Sequence, residues 1–256
     1  MPSLGQLDMV CRSGVDIITQ AHNRGHSDIV SALAAGGAVL QPSDFDDKTH
    51  AETTAQLQMS NSIMVTRHQG GGYVLPDYTL TFRDFNTFVV DVRLCRGFFY
   101  FEVRVLEIES SSNDPEFDDI VQFGYCTDGF QKNPADQHNH EGVGDDASSW
   151  AVDGCRQRKW HRGEHHPFSS RWVNGDVIGF LLDMQIAGSA VMSISVNGVF
   201  DSPNGVAFSD IDAPYLSPAF TGDGRFRLNF GDRPFAHQPP DANVTSVHAF
   251  FHMQKR

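Results

Sequence analysis

Histidines and adjacent carboxylates are the residues of this chain best equipped for chemistry. His138 and His140 share one polar stretch, and His161, His165 and His166 share another. A zinc site needs three or four ligands converging tetrahedrally, usually at short fixed spacing. Neither stretch holds a cysteine and both read as solvated loops, so no metal site is expected. Asp118-Asp119 and Asp145-Asp146 are sequence neighbours, whereas the acid and base carboxylates of a hydrolase face each other across a cleft. They read as loop charge. Ser169 and Ser170 lie near histidines but outside any G-x-S-x-G elbow, and a nucleophile needs a base and an oxyanion hole in register. Gly70-Gly71-Gly72 lacks the Lys and Ser/Thr of a phosphate loop. No catalytic residue and no cofactor are expected, and the chain reads as a non-enzyme.

Composition narrows the partners. The 256 residues carry a net charge of −13, which repels nucleic-acid phosphates and anionic membrane surfaces alike. The short basic group Arg156, Arg158 and Lys159 is flanked by Asp153 and Glu164. No nucleic-acid and no membrane partner is expected. Four scattered cysteines (Cys11, Cys95, Cys126, Cys155) form no C-x-x-C pair, which suits free thiols in a reducing compartment. With no basic segment leading into an apolar run at the N-terminus, a cytoplasmic location is the expectation. Twenty phenylalanines suit a thick core shared by two sheets.

The elements that must position these residues change character along the chain. Residues 1–40 read as helical, with Ser27 as N-cap, apolar residues at helical spacing to Ala35, and Gly36-Gly37 as stop. The run 18–40 faintly resembles one ankyrin repeat, either the divergent cap of a longer array or an ordinary helical hairpin. Residues 41–60, rich in Asp, Thr, Gln and Ser, read as a linker. From 61 to 240 the period is two. Strands are expected over 63–66, 78–82, 88–90, 98–108, 120–125, 149–152, 177–184, 191–196, 206–208 and 225–230. Turns are expected at 70–72, 110–115, 174–176, 197–198, 203–205 and 222–224. Asn197-Gly198 between apolar stretches is the preferred two-residue hairpin turn. Trp150, Trp160 and Trp172 read as core or rim anchors, and Asp176 as the fixer of its own turn. The tail, 241–256, spaces Val244, Val247, Phe250 and Phe251 along one face of a short helix. Many short strands without interleaved helices give an all-β class, an antiparallel two-sheet sandwich.

Several blocks add a family likeness. FFYFEVRVLEI begins at Phe98, VQFGYCT at Val121, SSWAVDG at Ser148, KWHRG at Lys159, WVNGDVIGFLLDM at Trp172, SISVNGVF at Ser193, YLSPAFT at Tyr215 and FRLNFG at Phe226. In this order they resemble the SPRY domain family. The resemblance implies two antiparallel sheets face to face, similar to concanavalin-type jelly rolls, and no catalysis. It also implies binding of a protein or peptide partner through loops at one end of the sandwich, as in substrate-recognition or adaptor units such as ubiquitin-ligase receptors. Carried onto this chain, the binding loops are Arg83, Asp84, Phe85 and Asn86; His138, Asn139, His140, Glu141 and Asp145; and Thr221, Asp223 and Arg225. Substrate receptors of the family carry a Tyr and an apolar residue in the second loop and a Trp in the third. Here those stretches read NHEGVG and TGDGR. The chemistry on offer is acidic and hydrogen-bonding, with Arg83 and Phe85 as anchors, and suits a basic or amide-rich segment. Two other readings stay open. One is a scaffold domain of a larger protein. The other is lectin-like binding, for which the loop 136–146 has carboxylates but no aromatic platform.

Overall fold

The computed structural model describes residues 63–108, 120–130 and 142–255, at 67–71 and 83–85 for the backbone alone. The chain divides into two units, Met1–Met64 and Val65–Arg256, and the architecture below is that of the second. The helical segment, the ankyrin-like run and the linker expected over 1–60 lie outside the described residues.

Among the described residues twelve strands follow one another: β1 (Val65–Val74), β2 (Thr79–Val90), β3 (Phe98–Glu107), β4 (Val121–Cys126), β5 (Ser149–Asp153), β6 (Arg158–His161), β7 (Glu164–Pro167), β8 (Val177–Asp183), β9 (Ala190–Val196), β10 (Gly205–Ile211), β11 (Ser217–Asn229) and β12 (Thr245–Ser246). Helix α1 (Val247–Gln254) closes the chain. The all-β class holds. All pairings among the first eleven strands are antiparallel, and β12 alone runs parallel to its partner β3.

Strand β11 is the spine. Along one edge it pairs with β2 over most of its length. Its other edge is shared. Residues 217–222 pair with β4 and residues 225–229 pair with β3. Two wings therefore leave the same strand: β4-β5-β6-β7 and β3-β8-β9-β10. The sheet curls until the wings face each other, making a sandwich from one folded sheet. Phe101 on β3 meets Tyr125 on β4 at a ring distance of 5.9 Å, and Phe123 on β4 meets Phe226 on β11 at 4.7 Å. At the free ends, Lys159 on β6 donates to the Ala207 carbonyl on β10 at 2.6 Å. Its ammonium lies over the rings of Phe168 and Phe208. Burial pushes its pKa down.

Some elements differ from the sequence pattern. The strands expected over 78–82 and 88–90 form one strand, Thr79–Val90, and Gly222-Asp223-Gly224 lies inside β11 rather than in a turn. The glycines permit this. Gly224 has φ +96°, and a Cβ there would meet the Glu107 carbonyl of β3. The short hairpin β6–β7, sequence RKWH then EHHP, shows no apolar alternation because its residues are half-buried or exposed. Gly70-Gly71-Gly72, expected as a turn, likewise lies inside a strand, β1. At Asn197-Gly198, at Asp176 and at the C-terminal helix, local chemistry and fold agree. Asn197 and Gly198 both have positive φ and join β9 to Val199 through paired backbone bonds at 3.0 and 3.2 Å. Asp176 accepts from the Val173 N–H at 2.8 Å and fixes its own turn. Ser246 caps α1 by accepting from the Ala249 N–H, while buried Val247 and Phe250, edge-on to Phe99, dock the helix.

Candidate functional site

The antiparallel register aligns residues across β2, β11, β4, β5 and β6 into rows. One row is Phe88–Phe220–Phe123–Val152–Lys159, and it faces the interior between the wings. The next row along the strands points to the opposite face: Thr87–Thr221–Gln122–Asp153–Arg158. Two residues further along, on that same outer face, runs Val89–Ala219–Gly124–Ala151–Trp160. So the outer face carries a polar row beside an apolar one, and most of both is buried.

The cover is the connection between β4 and β5. Phe130 and Val143 drop onto the apolar row, forming a small second core with Cys126, Ala151, Ala219, Val89 and Trp160. The polar row ties the same connection down. Thr221 Oγ1 accepts from the Val143 N–H at 3.0 Å and shares a 2.7 Å hydrogen bond with Thr87 Oγ1. Gln122 donates to Asp145 Oδ1 at 3.0 Å, and the other oxygen of Asp145 accepts from Gly142 N–H at 2.7 Å. Asp146 accepts from Ser149 Oγ and the Ser148 N–H. The backbone of the β6–β7 turn joins in: Arg162 and Gly163 N–H donate to Asp146 and Gly144 carbonyls. Asp145 and Asp146, expected to be solvent-facing, are half-buried clamps of this loop. The reason is that each carboxylate can collect several N–H groups at once, which a turn needs.

Asp153 is the charged member of the row, fully buried. It accepts from Arg156 Nε at 2.7 Å, the Arg156 N–H at 2.9 Å and the Val121 N–H at 3.3 Å. Burial raises its pKa above the usual 3.8, opposed by the Arg156 charge and these donors. The Gln122 Oε1 and Trp160 Nε1 atoms are buried here with no hydrogen-bond partner among the described residues.

The residues named from the sequence fall around this face in different ways. Residues 83–85 are not a loop but a bulge of β2: all three stand opposite Asp223 alone, between the pairs Phe82–Gly224 and Asn86–Gly222. Asn86 is buried. The Asp223 N–H donates to the Ile120 carbonyl at the start of β4. Thr221 is fully buried and structural rather than exposed for binding. Arg225 is exposed and pairs with Glu107 at 3.3 Å. His138, Asn139, His140 and Glu141 lie outside the described residues. Register thus sets residues 83–87 against residues 221–223 of β11, and the hydrogen bond from Gln122, the β4 partner of Thr221, ties Asp145 to the same stretch. Arg225 sits further along, on the half that pairs with β3.

Sequence reading missed Gln122, Asp153 and Thr87. A signal was there: each is a polar residue at alternate spacing from aromatic or aliphatic neighbours in VQFGYC, WAVDG and NTFVV. That alternation marks a second, covered face of the sheet.

The SPRY domain model matches residues 98–232, more than half of the chain. The chain belongs to the SPRY domain family. A curated relative, the E3 ubiquitin-protein ligase RKP of Arabidopsis thaliana, is 36% identical over 107 residues, 39% of this chain. That stretch is 8% of RKP, so the likeness spans a small part of the longer protein. Among solved structures, the SPRY domain of human HERC1 shares 17% identity at a TM-score of 0.45, covering 66% of this chain and 90% of that one. SPRY domains are protein-interaction modules, and this SPRY domain carries its covered polar face on strands β4, β5 and β11, within the matched span.

Proposed function

We propose that this SPRY domain captures a basic or amide-rich segment of a partner protein without catalysing a reaction. It does so through the surface formed by the β2 bulge, the β4–β5 connection and the middle of β11. The observation that supports this is the register. Stretches at 83–86, 142–146 and 221–223, far apart in sequence, are tied to one third of β11 by strand pairing and side-chain bonds. Asp145, Asp146 and Asp223 add negative charge, which steers a basic segment to the surface more than it holds it there. The role would be that of a substrate-recognition or adaptor unit in the cytoplasm. A relative whose name is an E3 ubiquitin-protein ligase makes ligase-associated recognition the first setting to try.

The test is affinity capture from cell extract, comparing the full chain with a variant carrying Arg83→Ala, Phe85→Ala and Asp223→Ala. A partner that is recovered with the natural chain and lost with the folded variant supports the reading. Recovery of every partner by both proteins overturns it.

A further inference from the structure

The second half of β11 carries a different chemistry from the first. Arg227 on β11 and Arg104 on β3 are direct cross-strand partners. Like charges directly opposite each other on an antiparallel pair repel. Both line a cleft of about 160 Å³ together with Arg233, Glu102, Val177, and the segment at Pro234 and Ala236. Three guanidinium groups thus share one concave site in a chain whose net charge is −13.

The carboxylates nearby are already engaged. Glu102, buried at the floor, accepts from the Ala236 N–H at 2.7 Å and the His237 N–H at 2.8 Å, which pins the chain past β11 to β3. Asp77 takes Arg227 Nε at 3.2 Å. Arg233 is held in place by its Nη2, which donates to the Leu228 carbonyl at 2.6 Å and the Asp77 carbonyl at 3.0 Å. Arg104 is exposed, and its guanidinium donates only to the Gly175 carbonyl, at a long 3.3 Å, among the described residues. Three positive groups against two occupied carboxylates leave a net positive cleft with unspent, fork-shaped donors. A guanidinium fork matches a carboxylate through two parallel hydrogen bonds. The volume admits one such group with its short stem and excludes a bulky ligand.

We propose that this cleft receives the carboxylate of a Glu- or Asp-rich segment of a partner protein, a second docking point on the outer face of β3 and β11. It answers to the opposite charge from the surface around residues 83–86 and stands independently of it. A carboxylate placed between Arg104 and Arg227 would also relieve their repulsion. In the free domain Asp77 bonds Arg227 and Glu102 is taken up by backbone N–H groups, which leaves that repulsion only partly offset.

The experiment titrates a fluorescein-labelled hexaglutamate peptide with the purified full chain and reads anisotropy at low and high salt. Saturable binding that weakens with salt is expected. Arg104→Gln should weaken it about tenfold, the scale of one charged hydrogen bond. Arg104→Glu should abolish it. Arg225→Gln, outside the cleft and tied to Glu107, should leave it within about twofold. Arg104→Lys keeps the charge but removes the fork, so a loss there separates geometry from charge. Equal binding by the natural chain and Arg104→Glu overturns the proposal, as does absence of saturable binding. Binding of inorganic phosphate without binding of the peptide overturns it too, in favour of a small-anion site. The triple variant at Arg83, Phe85 and Asp223 should bind the peptide normally, so failure of the partner-segment reading and failure of this one are distinguishable.

Discussion

The two faces of β4 and β11 bury side chains equally well, yet they are built on opposite chemistry. Between the wings lie Phe101, Phe123, Phe180, Phe220 and Phe226, packed edge-on or stacked at ring distances of 4.7–5.9 Å. Nothing there requires a specific partner atom, only matched shape. Beneath the β4–β5 connection, Thr87, Thr221, Gln122 and Asp153 are buried to the same degree, and each makes hydrogen bonds to named atoms. An apolar core tolerates rearrangement of its neighbours. A buried polar row does not, because any lost partner leaves a desolvated group behind. The first face therefore holds the fold, and the second holds one connection against it.

That contrast can be broken in graded steps. Phe123→Ala removes the ring at the centre of the inner face and should cost about 3–5 kcal/mol of global stability, read as a lowered urea midpoint. A loss no greater than that of an outer-face variant would erase the distinction. Thr221→Val keeps the shape but leaves the Val143 N–H and the Thr87 hydroxyl unpaired, an expected cost of about 1–3 kcal/mol. Its signature should be local. Hydrogen exchange at the Val143 amide should accelerate well beyond that of amides in β8, and uniform acceleration would count against a separately held connection.

The smallest effect is a pH dependence at Asp153. Its pKa is raised by burial, so the folded state binds a proton more readily than the unfolded chain. Stability from this group is therefore greatest below the unfolded value near 3.8 and is lost as pH rises through the folded value. The stability difference between the natural chain and Asp153→Asn should shift in favour of the natural chain as pH falls from 7 toward 4. A difference that is flat, or that shifts the other way, would mean the Arg156 bonds outweigh burial.

Much of this was legible without coordinates. The period of two, the Asn197-Gly198 turn, the Asp176 turn and the short C-terminal helix are local matters, settled by residues within a few positions of one another, and their chemistry is the same in any fold. The family blocks carried the all-β class for the same reason, since each block is a strand with its own alternation. What local pattern could not decide was which polar positions would be covered. Gln122 and Asp153 alternate with aromatics as solvent-facing residues would, and only the packing of a distant connection turns that face inward. Gly222-Asp223-Gly224 has the composition of a turn, but pairing with β2 on one side and with β4 and then β3 on the other keeps it in a strand. Arg104 and Arg227, over a hundred residues apart, become neighbours through register alone. Sequence determines what each strand can bury, because side-chain alternation is a property of one strand; tertiary structure decides what lies on top of it, because that depends on which strands become neighbours.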